Sequence, residues 1–244
     1  MLTCRSPAYF LSDCHLPLIG RRGQESWTPR VIRFLREEAV KAETLFLAGD
    51  LFDFWFEWRH CVPSAAFPVL FELRRLALGG KRIIFMAGNH DGHPGQFLED
   101  YVGLTVSRKP VDADIDGQWF HVAHGDGLAT ADRGYRLLRS LVRWKPTETI
   151  YRLIHPDFGI WFAHLVSRAS HNYASNNDRF GPEPYREYAR SKLDEGFNYV
   201  VIGHRHHADH IEHPRGGYLA VGDWIKDGSY GVFEEGKLKL KFFV

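Results

Sequence analysis

Carboxylates and imidazoles gather in five short clusters along the chain: Asp13-Cys14-His15, Gly49-Asp50-Leu51-Phe52-Asp53, Gly88-Asn89-His90-Asp91, His124-Gly125-Asp126 and Gly203-His204-Arg205-His206. With the amide of Asn89 they make a mixed oxygen and nitrogen donor set. Such a set suits borderline divalent metals (manganese, iron, nickel, zinc) better than calcium or magnesium. Two ions that share a carboxylate sit roughly 3.5–4 Å apart and clamp both the attacking and the leaving oxygen of a phosphoryl transfer. Any one cluster alone reads as a turn, a cap or a hydrogen-bonded histidine. Their common position, each at the end of an apolar run, makes them a candidate site.

The runs are Ala8–Leu11, Thr44–Ala48, Arg82–Met86, Trp119–Ala123 and Tyr199–Ile202. Each is short and apolar and reads as a buried strand. Apolar residues at helical spacing predict a helix over Thr28–Ala42, opened by Thr28 and Pro29, and a second over Phe67–Leu78, closed by Gly79-Gly80. Strand, helix, strand, helix, strand implies a mostly parallel sheet with right-handed crossovers. Ligands of such sheets bind at the carboxyl ends of the strands, where all five clusters fall. Tyr218–Val221 and Gly231–Val244 read as closing strands. Asp132–Glu195 is helical in pattern and reads as an insertion on one α/β domain spanning residues 1–244.

The 244 residues carry 31 Lys plus Arg against 30 Asp plus Glu, a net charge of +1, so bulk electrostatics gives no case for nucleic acid. Apolar residues at 44% exclude a disordered chain. Three cysteines, Cys4, Cys14 and Cys61, make no disulfide framework and fit a reducing compartment. The N-terminus lacks the apolar core of a signal peptide. The apolar stretch Phe158–Val166 is too short for a span that needs about 20 residues. A cytoplasmic protein is expected, with peripheral membrane contact open and no obligate protein partner evident. Cys14 reads as packing; Trp55, Phe56 and Trp58 read as either site mouth or core.

The clusters, in this order, resemble the calcineurin-like metallophosphoesterases, whose pattern of D-x-H, G-D-x-x-D, G-N-H-[DE], H and G-H-x-H is matched from Asp13 to His206. The resemblance implies an α/β fold, a β-sandwich flanked by helices. It implies one divalent metal, manganese first, held by Asp13, His15, Asp50 and His206, and a second held by Asp50, Asn89, His124 and His204. His90, oriented by Asp91, would face the scissile phosphate, and Asp53 would hold a ligand histidine. Within that superfamily the chain is similar to the UDP-2,3-diacylglucosamine hydrolase family, through Phe10–Leu16, Gly49–Trp55 and His124–Tyr135. That family splits a lipid-nucleotide pyrophosphate into UMP and 2,3-diacylglucosamine 1-phosphate, a step of lipid A synthesis. By resemblance Asp132 and Tyr135 hold the glucosamine and phosphate, Asn89 and His90 also meet substrate, and Arg168 lies in the right neighbourhood. The best-known branch has Arg at the position of His90, and a histidine-bearing branch resembles this chain better.

Residues Arg133, Arg136, Arg139 and Arg143 recur at helical spacing, with Lys145 after them and Leu137, Leu138, Leu141 and Val142 on the other face. A basic amphipathic helix suits an anionic membrane surface. The expectation is a helical lid over about 130–195 that takes up acyl chains at the inner face of the inner membrane. The alternative is that the apolar residues pack the helices onto the body. A phosphoesterase for another phosphodiester, phosphomonoester or nucleotide, and a metal-binding scaffold without catalysis, are the rival functions.

Overall fold

The computed structural model describes residues 1–17, 27–128, 145–175 and 181–244, and the side chains of 145 and 166–175 lie outside the description. The expected β-sandwich is two sheets of six strands, and the mostly parallel sheet that the strand–helix alternation implies is the first of them. The first has the order β12(Lys237–Phe242)-β11(Ser229–Glu234)-β2(Ala8–Leu11)-β3(Thr44–Ala48)-β4(Arg82–Met86)-β5(Thr105–Ser107). The second runs β1(Leu2–Cys4)-β6(Val111–Ile115)-β7(Gln118–Ala123)-β8(Tyr199–Ile202)-β10(Gly216–Ala220)-β9(Asp209–His213). Strands β2 to β5 are parallel neighbours, as the alternation requires, while β11 and β12 add antiparallel edges. The second sheet begins where the alternation stops, because β6 and β7 form a hairpin whose register pairs Ile115 with Gln118.

Strand alternation divides the core into layers. Phe10, Phe46, Ile84 and Met86 of the first sheet meet Ala113, Ile115, Phe120, Val122, Val201 and Leu219 of the second. Tyr9, Leu11, Leu45, Leu47, Ile83 and Phe85 point the other way, onto helices α1(Thr28–Glu37) and α2(Phe67–Leu78). Strands covered on both faces read as continuous apolar runs, which is why β2, β3 and β4 stand out in the sequence. Helix α1 stops at Glu37, short of Ala42, and a single tight turn over Ala39–Lys41 follows.

Helices α3(Lys145–Arg152), α4(Pro156–Ser175) and α5(Glu183–Asp194) follow β7. They divide by packing. Helix α5 buries Tyr185, Ala189 and Leu193 against Val200, Ile202, Tyr218 and Ala220, so it is the outer layer of the second sheet. The stretch available to a lid therefore ends before α5, short of the 195 expected. Helices α3 and α4 rest on the aromatic loop after β3: the Trp58 indole donates to the Ile154 carbonyl at 3.0 Å, and the Tyr151 ring packs edge-on to Phe56 at 4.8 Å. Trp55, Phe56 and Trp58 are buried, and Cys14 lies buried in the core layer that includes Trp55, as its place between Asp13 and His15 suggested. Ile150, Leu153, Phe158, Trp161, Phe162 and Leu165 of α3, α4 and their connection remain exposed. The arginine series from 133 to 143 lies outside the described residues, as do Asp132 and Tyr135; for Arg168 only the backbone is described.

Candidate metal centre

Five strand ends converge on one edge of the sandwich. Asp13 and His15 follow β2, Asp50 and Asp53 follow β3, Asn89, His90 and Asp91 follow β4, His124 follows β7, and His204 and His206 follow β8. The chain leaves each strand by a sharp reversal. Asp13 (φ 53°), His15 (42°), Asp50 (52°), His204 (69°) and His206 (58°) all adopt the left-handed conformation, five of the seven non-glycine residues that do so among those described. Each such residue costs on the order of 1–3 kcal/mol, a strain that gathers at functional sites. Gly49 and Gly203 let the loops close: a Cβ on Gly49 would meet His124 Nδ1 at 2.5 Å, and one on Gly203 would meet Ser12 Oγ at 1.8 Å.

The donors form two groups that share Asp50. In the first, His15 Nε2 lies 3.6 Å from Asp13 Oδ1 and 3.8 Å from Asp50 Oδ2, and His206 Nε2 lies 3.6 Å from Asp13 Oδ1. In the second, His124 Nε2 lies 3.2 Å from Asp50 Oδ2 and 3.1 Å from Asn89 Oδ1, with His204 Nδ1 at 3.2 Å. Ligands bound about 2.1 Å from one ion stand about 3–3.5 Å apart, close to these spacings. The two carboxylates each divide their oxygens. Asp13 Oδ2 accepts from the His204 amide at 2.7 Å and Asp50 Oδ1 from the His90 amide at 2.8 Å, which turns Asp13 Oδ1 and Asp50 Oδ2 to the imidazoles.

The electrostatics call for positive charge. Asp13 and Asp50 are buried, yet both are held below the usual carboxylate range, Asp13 chiefly by His206 and His15, Asp50 chiefly by His124 and His90. Burial opposes a charge on His15 and on His124, but the carboxylates outweigh it and push each to about 10. Burial and the neighbouring His124 charge bring His204 down to about 4. Asp13 Oδ1 is buried and accepts no hydrogen bond among the described residues, the kind of orphan a cation satisfies. His124 Nδ1 donates to the Ala48 carbonyl at 2.9 Å, which fixes the ring with Nε2 toward Asp50. The residues present fit two divalent ions.

All seven expected ligands are brought together, and Asp53 Oδ1 stands 3.5 Å from His15 Nδ1, where it can hold that ring. Asp91 does something else than orient His90. Its carboxylate accepts the amides of Gly88 at 2.7 Å, Leu51 at 2.8 Å and Asp50 at 3.2 Å, tying the loop after β4 to the loop after β3. Burial and the nearby Asp50 charge push Asp91 up to about 7. The His90 ring instead donates from Nδ1 to the Asp53 carbonyl at 2.9 Å and stands edge-on to His15, centroids 4.7 Å apart. One residue escaped the sequence reading. Asp223 is buried, and its Oδ2 lies 3.5 Å from His206 Nδ1, the counterpart of Asp53 on His15. Its signal was Gly222-Asp223 directly after the run Tyr218–Val221, the same strand-end pattern as Gly49-Asp50.

The profile of the calcineurin-like phosphoesterases matches residues 6–208. A UDP-2,3-diacylglucosamine hydrolase of Porphyromonas gingivalis is 28% identical over 263 residues, 97% of each chain. Proteins of the same name from Neisseria meningitidis serogroup B (29%, 91% of each chain) and Vibrio vulnificus (27%, 90% of each) are similar over nearly as much.

Proposed function

Because the chain belongs to the calcineurin-like phosphoesterase family, we propose that it cleaves the pyrophosphate of UDP-2,3-diacylglucosamine to UMP and 2,3-diacylglucosamine 1-phosphate. Membership makes it a metal-dependent hydrolase. Asp13, His15, Asp50 and His206 would hold one divalent ion, and Asp50, Asn89, His124 and His204 the other. When bound, the ions, manganese in this proposal, activate water and neutralise the phosphate oxygens. His90, beside the first group, donates to or stabilises the charge developing on the phosphate.

The observation that carries the lipid part is the apolar face of α3 and α4. Six large side chains, Ile150, Leu153, Phe158, Trp161, Phe162 and Leu165, stay in solvent where packing onto the body would have buried them. An exposed patch of this kind marks a binding surface. Each acyl methylene it covers is worth about 0.8 kcal/mol. No helix among the described residues is long and apolar enough to cross a membrane, so the reading is of peripheral contact, on the anionic inner face of the inner membrane. Asp132, Tyr135 and Arg168 would hold the sugar and its phosphate.

The test is incubation of the manganese-loaded protein with UDP-2,3-diacylglucosamine in ¹⁸O-water. The expected products are UMP and the lipid phosphate, with the label in UMP. Intact lipid nucleotide, together with turnover of a simple aryl phosphodiester, would assign the centre to another phosphoester.

A further inference from the structure

Beside the metal ligand His124 lies a cavity whose other lining residues hold no metal donor of either group. It encloses about 80 Å³ and is lined by Met86, His124, Arg108, Lys109, Asp126 and Tyr188, among others. Each water-sized occupant needs about 10–15 Å³. The space therefore suits a phosphate or one planar ring and is too small for a fatty-acyl chain. Its chemistry is uneven. Met86 and His124 are buried, whereas Arg108 and Lys109, in the loop from β5 to β6, are exposed cations. The Arg108 guanidinium donates to the Pro94 carbonyl at 2.7 Å, which anchors that side chain at the cavity wall.

Tyr188 is held by a chain of three residues on three elements. His121 Nδ1 donates to Asp112 Oδ1 at 2.6 Å, and the Tyr188 hydroxyl lies 2.8 Å from His121 Nε2. A carboxylate only accepts, so the Nδ1 proton is fixed, and Nε2 of a neutral ring accepts from the tyrosine. Burial lowers the His121 pKa and keeps that ring neutral. With the hydroxyl engaged, what Tyr188 offers the cavity is its aromatic ring. An aromatic wall, two cations and the edge of a phosphate-activating centre together match a nucleotide: a base stacks on aromatic rings of any sequence context, and phosphate seeks cations.

We propose that this cleft takes the base of the substrate's nucleoside monophosphate half, against Tyr188, with the ribose and phosphate leaving it past Lys109 toward the second metal group. The inference rests on the nucleotide substrate proposed above. It is tested by calorimetric titration of UMP into the metal-loaded full chain, wild type against Lys109→Ala and Tyr188→Leu. Loss of a hydrogen bond to a charged group is worth about 10- to 100-fold in affinity. Lys109→Ala should weaken UMP by that factor and raise KM for UDP-2,3-diacylglucosamine in proportion, with kcat moved far less. Because Lys109 is an exposed loop residue, its variant should unfold at the wild-type temperature. UMP affinity within two-fold of wild type in both variants, or UMP bound no better than inorganic phosphate, would overturn the cleft. Hydrolysis of the lipid nucleotide with a KM indifferent to both changes overturns the cleft alone. Lys109-dependent UMP binding without lipid-nucleotide hydrolysis upholds the cleft and overturns the lipid assignment.

Discussion

The His90 ring donates from Nδ1 to the main-chain carbonyl of Asp53 at 2.9 Å, so His90 is oriented by backbone. The Asp53 side chain meanwhile serves His15. One residue thus sets two histidines through different atoms, and the two roles separate by mutation. His90→Ala should lower kcat by about 10²–10⁴ and keep both metals, because general acid–base help acts in the transition state. Asp53→Ala keeps the carbonyl but frees His15 of its carboxylate, and should weaken metal binding about 10–100-fold. Metal counts by mass spectrometry beside steady-state kinetics distinguish them. A His90→Ala protein short of metal would contradict the assignment.

Asp50→Asn should lose most activity and both metals while its circular dichroism stays native. Asp50 Oδ2 faces both donor groups, so one substitution strips two sites. A chelator should do the same to the wild type, and manganese should restore it. An Asp50→Asn protein holding two ions at near-normal turnover would sink the shared-carboxylate reading.

Asp223 stands to His206 as Asp53 does to His15. Asp223→Ala should release the His206 ring and cost about 10–100-fold in affinity for one metal, leaving the other. Two-site titration with manganese, followed by electron paramagnetic resonance, reads the difference. Equal loss at both sites would mean that Asp223 supports the loop as a whole.

Asp91→Asn should behave unlike His90→Ala. An amide nitrogen in place of one carboxylate oxygen would face main-chain N–H donors of Gly88, Asp50 or Leu51. Each buried donor left unmatched costs about 1–3 kcal/mol. Urea unfolding should therefore show a loss of that size, and metal content should fall as the two loops part. Full stability and metal with a reduced rate would return Asp91 to the role of orienting His90.

Away from the site, Glu72 of α2 is buried and binds Arg36 Nη2 at 2.7 Å and Arg75 Nε at 2.8 Å. Burial would raise its pKa, but the two guanidinium groups outweigh burial and hold it below 4.5. A pKa depressed on folding gives stability that is complete above the unfolded value and lost as pH falls through the folded one. Both arginines are largely exposed, so solvent screens the pairs and Glu72→Gln should cost about 1–2 kcal/mol at pH 7, less than a fully buried pair. The gap between the two proteins in urea unfolding should close as pH falls below 4.5. A gap constant from pH 7 to 3 would show that packing alone is responsible.

The sequence displayed the first sheet more fully than the second, for a physical reason. Strands β2, β3 and β4 are covered on both faces and appear as unbroken apolar runs. Strand β9, Asp-His-Ile-Glu-His at an open edge, buries almost nothing and carries no such trace. Strand β6 alternates Val111, Ala113 and Ile115 inward with Asp112 and Asp114 outward, a legible pattern but one only five residues long. At the centre, the ligand residues stood out because type and position coincide at strand ends. The bonds of Asp91 go to main-chain amides, which every residue has, so no choice of side chain announces them. The exposure of the α3–α4 apolar face was equally hidden, since helical spacing is the same whether a stripe meets protein or lipid.

The donors come from both sides of the sandwich. Asp13, His15, Asp50 and Asn89 end strands of the first sheet, and His124, His204 and His206 end strands of the second. Each donor group draws on both sheets, so each ion would act as a cross-link across the seam between them, much as a disulfide joins distant segments. Unfolding would have to break that link or carry the metal away, and a ligand that binds only the native state raises its stability by mass action. Metal supply then governs how much of this protein survives proteolysis in a cell as well as how fast each molecule works. Starvation for metal would slow each molecule first and then, as the cross-links are lost, lower the amount of the enzyme.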